Sequence, residues 1–128
     1  MAETEKITIN MSIVDLGQID LLVDQGFYSN RTDFIRTAIR NQLQTHAEQV
    51  QQVVVSQTMA VGTVIFNRTD LEKAVASGRK LEVKVVGMLS MAEDITPELA
   101  QQAIQSIQVL GVFRASEMVK AALADRTR

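Results

Sequence analysis

The chain has 128 residues, 46% of them hydrophobic, which is room for one ordinary domain or for a small dimeric domain plus a second one. A formal net charge of −2 gives no bulk attraction to nucleic acid or to an anionic membrane. The lack of cysteine excludes disulfides, zinc–thiolate sites and thiol catalysis.

The start, Met1-Ala2-Glu3-Thr4-Glu5-Lys6, is polar and acidic and leads into no apolar signal-type region. No apolar run approaches membrane-spanning length. A soluble, cytoplasmic protein without a membrane partner is therefore expected.

From Glu5 to Met11 the chain alternates. Ile7, Ile9 and Met11 fall on one side; Lys6, Thr8 and Asn10 fall on the other. That is the period of a half-buried strand. One strand of this length cannot stand alone, and nothing else in the first half reads as a strand. The natural partner is the same segment of a second copy, paired across a two-fold axis.

Ser12-Ile13-Val14-Asp15 is a capping signal for a first helix, in which Leu16, Ile19, Leu22 and Val23 recur at helical spacing. Gly17 weakens that helix. Gly26 stands where a left-handed residue would end it. Asn30 then reads as the N-cap of a second helix, with Asp33 completing a capping box. Phe34, Ile35, Ala38, Ile39 and Leu43 form the apolar face of that helix.

Strand, helix, glycine turn and helix, with Lys6-Ile7-Thr8-Ile9-Asn10-Met11 and then Gly26-Phe27-Tyr28-Ser29-Asn30-Arg31-Thr32-Asp33-Phe34-Ile35-Arg36, resemble the ribbon–helix–helix DNA-binding family over about Lys6 to Gln44. The resemblance implies an intertwined homodimer whose two strands form one antiparallel ribbon in the major groove of double-stranded DNA. It places Lys6, Thr8 and Asn10 against base edges. Lysine can donate to guanine, threonine can donate, accept and touch a thymine methyl, and asparagine can pair with adenine. It also places Asn30, Arg31 and Thr32 at a DNA phosphate, where free N–H groups and the helix dipole favour an anion. Arg36 and Arg40 are expected on a solvated face or in ion pairs with acids such as Asp33. Up to Thr45 there are four basic and six acidic residues. The basic footprint must therefore come from dimerisation, which doubles Lys6 and Arg31 on one surface.

From Gln44 the helical pattern can continue through Ala47, Val50 and Val54 as one long helix from about Asn30 to Val54. Val53-Val54-Val55 could instead begin a strand. A linker is expected near Ser56-Gln57-Thr58.

The remainder repeats. Gly62 in Ala60–Phe66, Gly87 in Val85–Met91 and Gly111 in Val109–Ala115 each follow an apolar pair within a strand-like stretch. Each stretch precedes a helical one: Asp70–Ala76 closed by Ser77-Gly78, Thr96–Ile104 with Thr96 as N-cap and Pro97 at the first helical position, and Glu117–Leu123 capped by Ser116. This predicts β-α-β-α-β-α with parallel strands, a small solenoid-like stack.

The expected fold class is thus α+β. Residues 1–45 are a ribbon–helix–helix head, residues 46–58 a helical extension and linker, and residues 59–128 a β-α repeat domain for oligomerisation or for an effector or partner. No cofactor, metal site or enzyme activity is expected. His46 is the one histidine and is expected to be exposed; Glu93-Asp94 reads as a solvated turn; Met59, Met88, Met91 and Met118 read as core filler. The expected function is a sequence-specific transcriptional regulator, in its simplest form a repressor. The alternatives are an antitoxin with a ribbon–helix–helix head, or a self-assembling structural protein.

Overall fold

The structure is a computed structural model and describes residues 4–128. The expected head, residues 1–45, thus begins in three residues outside the described ones. The fold mixes helix and strand, and the chain divides into two compact units, 4–53 and 54–128.

In the first unit, Ser12 caps helix α1 (Ile13–Asp24) by accepting the Asp15 N–H. Gly26 closes it in a left-handed conformation (φ 82°). The Gly26 N–H donates to Val23 and the Phe27 N–H to Leu22, so two otherwise orphaned carbonyls are satisfied. Helix α2 (Arg31–Thr45) comes next, with Asn30 as N-cap. The single long helix expected from Asn30 to Val54 is interrupted. The Thr45 hydroxyl donates back to the Asn41 carbonyl, and the His46 N–H reaches Leu43, three residues back. That local competition tightens the backbone for one turn before α3 (Ala47–Ser56). Val53-Val54-Val55 is therefore helical, and the chain turns at Gln57-Thr58, with Thr58 at φ 54°.

The second unit is a three-stranded parallel sheet in the order β1 (Ala60–Phe66), β2 (Leu81–Met91), β3 (Ile104–Arg114). Helix α4 (Arg68–Ala76) and helix α5 (Pro97–Ala103) make the two crossovers, and α6 (Glu117–Ala122) comes after β3. Asn67 and Asp70 form a reciprocal capping box on α4, Thr96 caps α5 with Pro97 in its first turn, and Ser116 caps α6. Strands β2 and β3 begin earlier than the glycine repeat implied. Their first residues pair with each other and have no counterpart in β1.

Alternate strand residues face the helices. Val83, Val85, Leu89 and Met91 of β2 and Ile107 of β3 pack with Leu71, Ala74, Ala100, Ala103, Val119 and Leu123 from α4, α5, α6 and the residue closing α6. Each fully buried leucine or isoleucine contributes about 1.5–3 kcal/mol. Met59, Met88 and Met91 are buried, but Met118 is 71% exposed. It lies on the solvent side of the short helix α6, whose inward residue is Val119. The periodicity of so short a helix does not fix its buried face.

Gly62, Gly87 and Gly111 form one row across the sheet. Their φ values are 126°, 136° and 128°, a region that side chains rarely adopt. A Cβ on Gly87 would lie 2.1 Å from the Gly62 carbonyl oxygen, and one on Gly111 1.9 Å from that of Gly87. The absence of a side chain is what lets each strand close on the one before it.

Candidate nucleic-acid interface

Lys6, Thr8 and Asn10 are all exposed and stand at alternate positions, so an extended backbone presents them together. In the single chain residues 4–12 form no strand, and the sheet among the described residues is made of β1, β2 and β3 alone. Ile7 and Ile9 are 76% and 66% exposed. The helices do not cover them. Ile19 is the one buried hydrophobic side chain in α1, α2 has none, and Ile39 and Leu43 are exposed along the apolar face of α2. A two-helix unit of this kind has too little core to be stable by itself.

The turn into α2 is built from short-range bonds. Asn30 Oδ1 accepts the Asp33 N–H at 2.8 Å. The Asp33 carboxylate accepts from the Ser29 N–H at 3.0 Å and the Ser29 hydroxyl at 3.1 Å. The box expected between Asn30 and Asp33 is therefore half-formed, and its return bond goes to Ser29, one residue earlier. Tyr28 packs edge-to-face on Phe34 at 5.0 Å and fixes the approach of the turn. The N–H groups of Arg31 and Thr32 occupy the first turn of α2, where helix geometry provides no intrahelical acceptor.

The Arg31 side chain is engaged within the unit. Its Nε and Nη2 bond both oxygens of Asp20 at 2.7 and 2.8 Å, a bidentate clamp between α1 and α2. Nothing in the local pattern of the sequence marked Asp20 as this partner. Arg36 and Arg40 are exposed, and Asp33 bonds Ser29.

The hydrogen bond from Arg31 holds the Asp20 carboxyl below its ordinary range, and the backbone and hydroxyl bonds from Ser29 do the same for Asp33. A carboxylate whose folded pKa is depressed stabilises the fold above its unfolded pKa. That contribution is lost as the pH falls through the lower folded value, so the head should loosen below roughly pH 4. Tyr28 is the one tyrosine and the chain has no tryptophan, so its fluorescence reports on this junction. In an acid titration, Asp20→Asn together with Asp33→Asn should flatten the transition. An unchanged acid limb would remove these carboxylates from the account.

His46 is exposed, with its ring 3.3 Å from the Gln42 amide. Glu93 and Asp94 are exposed in the turn before α5, where the Asp94 carbonyl accepts from Arg68. Among the described residues no three His, Cys, Asp or Glu side chains are grouped to hold a metal, and no helix is long and apolar enough to cross a membrane.

Two helices joined by a glycine turn, the second capped by Asn30, and before them an alternating polar–apolar segment give the element order of a ribbon–helix–helix head. The model of the ribbon–helix–helix transcriptional regulator family matches residues 2–120, and the chain belongs to that family. The match runs well beyond the head and takes in all three strands of the sheet unit. The protein is a DNA-binding transcriptional regulator. No curated protein and no solved structure matches the chain.

Proposed function

We propose that two chains pair residues 5–11 as an antiparallel ribbon that enters the major groove. Lys6, Thr8 and Asn10 read base edges, while Ile7, Ile9 and Met11 close onto the helices beneath. The α2 starts of the dimer, at Asn30, Arg31 and Thr32, grip phosphates chiefly through backbone N–H groups, since the Arg31 guanidinium is held by Asp20. The protein acts in the cytoplasm as a repressor by operator occupancy. Residues 1–45 are the head, 46–58 the extension and linker, and 59–128 the stack of β-α units through which dimers associate.

The observation that carries this reading is the bare apolar surface of the head. Ile7, Ile9, Ile39 and Leu43 stand exposed in the single chain, and a second copy paired through the ribbon covers such a surface. The sheet unit has its own buried core, which argues against an antitoxin tail that orders only on its target.

Selection of bound duplexes from a random pool tests the proposal. A two-fold symmetric motif is the expected result. Recovery without any enriched sequence, or with an asymmetric motif, would overturn the two-fold ribbon reading.

A further inference from the structure

Gly62 has no reason within its own chain to be a glycine that meets a neighbour. Gly87 and Gly111 each lie against the carbonyl oxygen of the preceding strand's glycine. Gly62 adopts the same unusual backbone (φ 126°), yet among the described residues nothing lies within 4 Å of where its Cβ would be. It carries the strand shape of a residue that receives a carbonyl, at the edge where no strand of the described residues precedes it.

The far edge of the sheet supplies a match. The C-terminal tail pairs with the beginning of β3: Thr127 bridges Ile107, and the Arg128 N–H donates to the Ile107 carbonyl at 2.8 Å. The rest of β3, from 109 to 113, has no strand on its outer side among the described residues. Within the chain, Ala60 pairs with Val85 and Val85 with Val109, so one more repeat of the register aligns an incoming Ala60 with Val109 and Gly62 with Gly111. β1 is also undefended. It contains no charge and no proline, the usual devices that keep sheet edges apart. Beside these edges the strands carry exposed apolar side chains as well, with Val61 68%, Ile65 66% and Leu110 53% exposed.

We infer that β3 of one chain adds to β1 of a second copy, head to tail and in parallel, with the Gly111 carbonyl seated on Gly62. The contact uses two different edges, so it is heterologous and can propagate from copy to copy. It deepens the proposed association of dimers, and it joins them through one continuous sheet. Antiparallel pairing of two β1 edges would not reproduce the environment that Gly87 and Gly111 share.

The test uses the full chain, without DNA, so that its failure is distinct from failure of the DNA-binding reading. The chain has no cysteine of its own, which makes the double variant Thr63→Cys/Val112→Cys clean to read. Across the inferred junction these positions are register neighbours about 4.8 Å apart, whereas within one chain they stand two strands and roughly 10 Å apart, beyond disulfide reach. Under a mild oxidant the double variant should give a ladder of covalent multimers on a non-reducing gel, and each single variant should stay monomeric. A covalent dimer from either single variant, or no product beyond a dimer from the double variant, overturns the inference. The parent chain should show concentration-dependent scattering, and Gly62→Ala, where circular dichroism shows it folded, should lose it. Scattering equal to that of the parent would overturn the inference too, and if that variant fails to fold the cross-link decides.

Discussion

Gly87→Ala is expected to destabilise the sheet unit severely. The new Cβ would stand 2.1 Å from the Gly62 carbonyl oxygen and 3.0 Å from its carbon, both backbone atoms that cannot swing aside. The residue would also be held at φ 136°, where a side chain is strained. Strain of this kind costs about 1–3 kcal/mol, and forcing atoms into a closed space about 1–3 kcal/mol more. A loss of roughly 2–6 kcal/mol is a large part of the roughly 5–15 kcal/mol that holds an ordinary domain together. Gly111→Ala should behave alike, with its nearest backbone oxygen at 1.9 Å. Gly62→Ala meets no atom within its own chain and should cost only the strain, about 1–3 kcal/mol. Urea unfolding of the three full-length variants, monitored by circular dichroism, orders them. Equal losses at all three positions would mean that backbone conformation alone, and not the closeness of neighbouring strands, requires the row of glycines.

The other large effect is expected on DNA. Asn10→Ala and Thr8→Ala should each cost about 1–3 kcal/mol of binding, about fivefold to more than a hundredfold, concentrated at one base pair of each half-site. Variant operators should therefore restore the ranking for one substitution and not for the other. Arg31→Ala should weaken every sequence alike, and it also removes the clamp on Asp20. Asp20→Asn separates these two consequences. It keeps the guanidinium and removes the acid that occupies it, so binding should depend more steeply on salt, by about one unit of slope per phosphate gained. Uniform losses over all operator variants for Thr8, Asn10 and Arg31 alike would contradict the division between base-reading and phosphate-gripping residues.

The parts of this protein that could be read from residue order are those made by bonds spanning a few residues. Ser12, Asn30, Thr96 and Ser116 cap their helices because a short polar side chain reaches an N–H three residues on. Gly26 ends α1 because a left-handed backbone favours a residue without a Cβ. The period of two in residues 5–11 and the spacing of the three glycines were likewise visible, and with them the head's family and the β-α order of the second unit. The Thr45–His46 interruption was missed because one hydroxyl's choice between solvent and the Asn41 carbonyl has no periodic signature.

Only folding could settle the meetings of residues distant in sequence. Asp20 and Arg31 come together only once α1 and α2 pack. Three glycines about a helix and a strand apart become a single row only when the parallel register is set. The row's first member, Gly62, shares the backbone of the other two while, among the described residues, nothing lies within 4 Å of where its Cβ would be. That contrast arises from interstrand distances of a few ångströms, and spacing along a chain carries no such distance.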